Sequence, residues 1–295
     1  MPSSTPKALR EAYARTMLAE AGVTDPALEH AMASVPREAF LGEPPWQISG
    51  WRANLATETS ALRDIYADVL VTLDAEKGLN NGSPSLHAAG LHALAPRPGE
   101  TAVHIGAGTG YYSAILAEML GPSGHVSAVE VDPGMAARAL QCLGPWPTVE
   151  PVCGNGASEP HEPADIIYVN FAVDRPADRW VDMLKPAGRL LFPLGVPGGP
   201  AREGGPQYSA RAGYLLVTRT PKGFAARFLQ AVAFVWSEAI AQSDAGSHAR
   251  LYHAMRRGGG ALTVRSLRWK TPPRPGEWYS EPDWGLSPDP PDMAD

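Results

Sequence analysis

Three glycines and one carboxylate are the residues of this sequence best spaced to do chemistry together. In TAVHIGAGTGYYSAILAEMLGPSGHVSAVEVD, residues 101–132, Gly106, Gly108 and Gly110 form a turn whose main chain can take conformations closed to other residues, so that a ligand can approach its amides. Glu130 follows twenty-four residues after Gly106. A nucleoside-binding fold places a carboxylate there to accept hydrogen bonds from ribose hydroxyls. No Gly-Lys-Ser/Thr follows the turn, which excludes a phosphate-binding loop, and G-x-G-x-x-G fails because its third glycine falls on Tyr111 or Ser113. The combination points to a nucleoside cofactor; the competing reading is a turn that only closes a loop.

The elements that must position these residues are readable around them. Thr101–Ile105 is an apolar run of strand type, Tyr111–Leu120 has helical apolar spacing, and His125–Val131 is a second strand. Upstream, Thr5-Pro6 and Asp25-Pro26 start two helices that end at Gly22 and near Ser34. Residues 41–60, with Trp46 and Trp51, read as a loop, Ile65–Leu73 as a strand and Leu86–Leu94 as a helix. Downstream come a helix (Pro133–Leu143), a strand (Val149–Cys153), the turn Gly154-Asn155-Gly156, and a buried strand (Ala164–Phe171). The end of that strand, Asn170, should open on a ligand cleft, because open α/β sheets bind beyond the carboxyl ends of their strands. A helix (Arg175–Leu184), a turn (Lys185–Gly188), a strand (Arg189–Leu194), a loop (Gly195–Gly213) and a hairpin (Tyr214–Thr220 with Phe224–Val235) follow. A helix over Ala239–Arg257 and a strand over Ala261–Trp269 lead to a proline-rich, acidic tail beyond Lys270.

VHIGAGTGYYSAILAEM followed by VSAVEVDP resembles motif I and its successor in class I S-adenosylmethionine-dependent methyltransferases. Four further pieces bring the resemblance closer to protein-L-isoaspartate O-methyltransferases: VPREAF (35–40), NNGSPSLHA (80–88), GNG (154–156) and LKPAGRLLFPLG (184–195). It spans roughly residues 7–236 and implies an α/β fold: a Rossmann-like, mostly parallel sheet with an antiparallel C-terminal hairpin and an N-terminal helical subdomain. The implied domains are residues 1–60, helical; 61–236, cofactor-binding; and 237–295, an extension with the tail. The implied cofactor is S-adenosyl-L-methionine. Gly106, Gly108 and Gly110 would lie at its methionine end, Glu130 at the ribose, and Asn155 and Gly156 at the adenine, with Asn81, Gly82 and His104 nearby and Tyr112 and Val131 as further cofactor-binding residues.

Two positions depart from the pattern. Anchored on Pro84, the family's serine position falls on Gly82, and His104 stands where the superfamily has Asp or Glu. Ser83, His87 and Asn170 are the candidate catalytic or acceptor-contacting residues. A carboxylate acceptor is already ionised and needs no base, whereas a hydroxyl or amine would need one, for which His87 is the candidate. His87 also reads simply as a helix histidine. The implied acceptor is a carboxylate of a protein or modified peptide. The alternatives are a small specialised metabolite and a module that binds the cofactor without turnover.

Composition narrows the partners. The net charge is −6 and the longest basic run is Arg256-Arg257, which argues against a nucleic-acid surface. Cys142 and Cys153 make no disulfide framework, as expected of a cytoplasmic protein. No apolar run approaches bilayer length, no signal-type segment opens the chain, and no residue set has metal-ligand spacing.

Overall fold

The computed structural model describes residues 5–50, 56–199, 207–237, 240, 243–256 and 259–291. The chain divides into two compact units, Met1–Asn155 and Gly156–Asp295.

The first unit begins with helices α1 (Pro6–Ala21) and α2 (Pro26–Ser34), capped by the side chains of Thr5 and Asp25. Tyr13, Met17 and Leu18 of α1 and Leu28 and Met32 of α2 are buried. A 3-10 turn, Arg37–Phe40, follows. The stretch expected to be a loop, residues 41–60, instead contains strands β1 (Trp46–Ser49) and β2 (Thr57–Thr59). After the short helix α3 (Leu62–Ile65), β1 also pairs with β3 (Leu70–Asp74), which pairs with β4 (Leu79–Asn80), giving an antiparallel order β2-β1-β3-β4. These strands are too short to carry a period and exist by pairing with distant segments. The strand expected from Ile65 accordingly starts only at Leu70. Trp46 is buried, its indole N–H donating to Gly42 O at 2.9 Å, while Trp51 lies outside the described residues. Helix α4 (Pro84–Leu94) precedes the parallel β5 (Thr101–Ile105), β6 (His125–Glu130) and β7 (Val149–Cys153), with α5 (Tyr111–Leu120) and α6 (Pro133–Cys142) as crossovers.

In the second unit β8 (Ala164–Val169) pairs in parallel with β9 (Leu184–Pro197). The helix expected over Arg175–Leu184 shrinks to α7 (Asp178–Asp182), because Leu184 is already paired in β9. The Lys185–Gly188 turn becomes an excursion within β9: its register on β8 jumps from Ala164↔Leu184 to Ile166↔Arg189, and Ala187 takes φ +62°. From β9 the sheet runs antiparallel through β10 (Ser209–Thr220) and β11 (Gly223–Val232), so the expected loop over Gly195–Gly213 is strand at its two ends, 195–197 and 209–213. Helix α8 (Ala245–Arg256) and a 3-10 turn (Gly260–Thr263) precede β12 (Ser266–Trp269). The antiparallel part therefore continues beyond the expected hairpin, and the residues taken for a tail complete it. β13 (Tyr279–Ser280) pairs with β14 (Trp284–Ser287), which pairs with β12, and Tyr279, Trp284 and Leu286 are buried.

Candidate active site

The glycine turn leaves β5 with Gly106, Gly108 and Gly110 at φ +76°, +57° and +93°, conformations that side chains other than glycine adopt only with strain. The amides of Gly106 and Ala107 both donate to Val129 O, at 2.9 and 3.1 Å, fastening the turn to the end of β6. A Cβ on Gly110 would meet Leu143 Cδ1 at 2.6 Å, whereas one on Gly108 would find nothing nearer than Leu73 Cδ1 at 3.8 Å. The open side of the turn is therefore at Gly108.

Glu130 ends β6 and is held across that opening. Its Oε2 accepts from Gly108 N at 2.8 Å and its Oε1 from Asp132 N at 3.0 Å. A carboxylate has about four acceptor positions. The two used here fix its direction and leave acceptor capacity for a ligand. Beside it Val131 is 65% exposed, an apolar side chain set next to a fixed carboxylate. Gly154 N donates to Glu130 O at 3.0 Å, which brings the GNG turn alongside, with Asn155 exposed. Gly156 begins the second unit, where its carbonyl accepts from Trp180 Nε1 at 2.8 Å.

Residues 80–87 form the next part of the first unit. Asn81 Oδ1 accepts from Val71 N at 3.0 Å and from Arg37 Nη2 at 3.2 Å. Gly82 takes φ +74°, its amide donating to Asn80 Oδ1 at 2.9 Å. Ser83 caps α4, accepting from Leu86 N at 3.4 Å and donating to Asp68 Oδ1 at 2.8 Å; Ser85 Oγ donates to Asp68 Oδ2 at 2.6 Å. The Ser83 hydroxyl thus holds the loop together. The His87 ring lies flat on Tyr112, with centroids 3.7 Å apart and planes 11° apart. Its Nε2 stands 2.2 Å from where a Cβ on Gly82 would be. Burial, then the neighbouring His104 and the Arg37 charge, hold the His87 pKa well below the ordinary histidine value, so the ring is neutral.

His104 is wholly enclosed between β5 and α5, with Nδ1 2.7 Å from Ser113 Oγ; burial pushes its pKa down to about 3. Asn170 follows β8 in the second unit and is half-buried. The first unit thus gathers the glycine turn, Tyr112, Glu130, Val131 and Asn155 with Asn81, Gly82, Ser83, His87 and His104. Sequence reasoning missed three partners that hold them. Arg37 is one of two charged residues between Pro36 and Ala39-Phe40 in VPREAF, which was a usable signal; Asp68 and Ser113 gave none. Among the described residues no group of three or more His, Cys, Asp or Glu side chains is placed to hold a metal, and no helix is long and apolar enough to cross a membrane.

A model of the family Protein-L-isoaspartate(D-aspartate) O-methyltransferase matches residues 11–202, more than half of the chain. The chain belongs to this family. That makes it an S-adenosylmethionine-dependent methyltransferase, and the exposed valine, the fixed carboxylate and the open glycine turn fit the cofactor that such enzymes use. Protein-L-isoaspartate O-methyltransferase of Ignicoccus hospitalis is 30% identical over 227 residues, covering 75% of this chain and 93% of that protein. The Aeropyrum pernix enzyme of the same name is 35% identical over 180 residues, and the match spans 59% of this chain and only 62% of the relative. A solved protein-L-isoaspartate O-methyltransferase superposes with a TM-score of 0.64 at 23% identity, covering 79% of this chain and 67% of that one. A Plasmodium falciparum protein described as a beta-aspartate methyltransferase, solved with S-adenosyl-L-homocysteine, superposes with a TM-score of 0.59 at 17% identity, covering 77% and 97%. Both likenesses are of fold, the Rossmann-like class I methyltransferase fold. Residues 203–295 lie outside the family match.

Proposed function

We propose that this family member binds S-adenosylmethionine along its glycine turn and methylates a carboxylate on a protein or peptide. The observation that carries the reading is Glu130, pinned by two main-chain amides at the end of β6 with acceptor capacity to spare. Glu130 would hold the ribose hydroxyls, Val131 and Asn155 the adenine, and Gly108 the approach of the amino-acid end. The bound cofactor supplies an electrophilic methyl carbon on a sulfonium. The protein's task is then to orient the acceptor and exclude water. His87 supports a carboxylate acceptor over a hydroxyl or amine: a buried ring with a depressed pKa takes up a proton poorly, and a carboxylate asks for no proton removal.

The Gly82–His87 contact favours a second reading, in which the acceptor is a modified peptide or small metabolite carboxylate instead of an ordinary isoaspartyl peptide. A cytoplasmic location is the corresponding proposal for the compartment, supported by Cys142 and Cys153 both being free thiols. Calorimetric titration of S-adenosylmethionine and S-adenosylhomocysteine into the wild type and Glu130→Ala tests the cofactor site. Methanol release after turnover on an isoaspartyl peptide, compared with its aspartyl isomer, tests the acceptor. Binding of neither nucleoside would sink the reading.

A further inference from the structure

The space beside residue 82 is already occupied. A Cβ built there falls 2.2 Å from His87 Nε2 and 2.8 Å from Cδ2, so the imidazole and a side chain at position 82 exclude each other. A Cβ at residue 82 would meet the ring at its Nε2 edge, while one face of the ring is held against Tyr112, which itself meets Tyr111 edge-on at 5.0 Å. Tyr112 is two residues beyond Gly110, so the His87 ring packs against the first turn of the helix that the glycine turn opens. Filling that volume would be served better by leucine, because burying an imidazole carries a desolvation penalty that an aliphatic side chain avoids. Next to Gly82, Asn81 holds a buried Nδ2–H donor with no partner among the described residues. Asn81 therefore carries a hydrogen-bond donor that the described residues do not use.

We propose that residues 82 and 87 act as one acceptor-selectivity determinant: the Nε2 edge of the His87 imidazole has taken the volume of a side chain at position 82 and stands in its place toward the acceptor carboxylate. This rests on the first unit being the methyl-transfer site. The role is one of positioning, and a defect that was merely structural would lower turnover of all acceptors alike. Selectivity between two acceptors is the readout that separates the two cases.

The test is a cycle of wild type, Gly82→Ser, His87→Ala and the double variant, with S-adenosylhomocysteine affinity, Tm, and kcat/KM on an isoaspartyl and a D-aspartyl peptide of one sequence. The left-handed backbone at residue 82 strains serine equally in both backgrounds, so the strain cancels in the cycle. Gly82→Ser should lower Tm, and should lower it less when introduced into His87→Ala than into the wild type. The isoaspartyl to D-aspartyl ratio should move by about fivefold in His87→Ala and about tenfold in the double variant, with nucleoside affinity held within about threefold. A ratio constant across the cycle, strictly additive Tm changes, or no turnover of either peptide by variants that bind the nucleoside would each overturn the proposal. Failure of the wild type to bind the nucleoside would instead sink the cofactor reading beneath it, and the proposal with it.

Discussion

The Glu130 carboxylate and the Gly108 amide are 2.8 Å apart, joining the end of β6 to the open point of the glycine turn. Replacing Glu130 by alanine removes the ligand's acceptor and also strands the amides of Gly108 and Asp132. Hydrogen bonds to charged groups contribute about 1.5–3 kcal/mol each, so losing one such bond in Glu130→Ala should weaken S-adenosylhomocysteine binding by roughly 10- to 150-fold. Glu130→Gln keeps one of the two acceptor oxygens and should lose less. Calorimetry on the three proteins checks the order, and equal affinity in Glu130→Ala would exclude a ribose role for this side chain.

His104 makes stability depend on pH. Its folded pKa is about 3 against an ordinary 6.5, so between those values the unfolded chain binds a proton that the folded chain does not. Stability therefore rises with pH through that window and falls on acidification, by up to about 1.4 kcal/mol per pH unit for one group. His87, also depressed, adds the same sign. His104→Gln can keep a hydrogen bond to Ser113 and cannot titrate. Urea unfolding at pH 7, 6 and 5 should show a shallower loss in His104→Gln than in the wild type. Parallel slopes would mean that the ring is not enclosed as described.

What was legible in the sequence was what is local. The β5–turn–α5–β6 unit was readable because glycine spacing and two periodicities coincide within thirty-two residues, and Glu130 followed from its register in that unit. β1 and β2 were not, because Thr57-Glu-Thr59 becomes a strand only by pairing with Trp46–Ile48. The C-terminal strands were hidden by composition: prolines and acids read as a tail, yet Glu277 is buried. For His104 and His87 the residue types were visible and their surroundings were not. His104 meets a serine nine residues on, and His87 meets Gly82 around a helix cap, contacts that no periodicity encodes.

Arg37 should be intolerant even of lysine. Its guanidinium is fully buried and forks to the carbonyls of Ile65, Ala67 (3.0 Å) and Val69 (2.7 Å) as well as Asn81 Oδ1 (3.2 Å). Lysine offers one ammonium in place of this planar array and would leave several of those acceptors unpaired. With unsatisfied buried polar groups costing about 1–3 kcal/mol each, Arg37→Lys should lose roughly 2–4 kcal/mol of unfolding free energy. Urea midpoints at constant slope measure it. A loss below about 0.5 kcal/mol, the scale of an ordinary surface change, would show that the loop holds without the fork.

The C-terminal strands depend on one enclosed ion pair. Arg268 Nε and Glu277 Oε1 are 2.5 Å apart, and both side chains are almost wholly buried, at 2% and 1% exposure. The same guanidinium donates to the carbonyls of Trp284 (2.6 Å) and Glu281 (2.7 Å), and to that of Thr271, so it ties β12 to β14. Gly285 is part of the arrangement, because a Cβ there would lie 2.7 Å from Glu277 Oε2. Removing one partner of a buried pair costs about 3–5 kcal/mol because the remaining charge is uncompensated, whereas replacing both by apolar groups can be close to neutral. Glu277→Gln should therefore lower stability by about that amount, and Arg268→Met/Glu277→Leu by less than the single change. Chemical unfolding of the wild type, the single and the double variant decides it. A double variant more damaged than Glu277→Gln would mean that the carbonyl contacts of Arg268, and not its charge pairing, hold the strands.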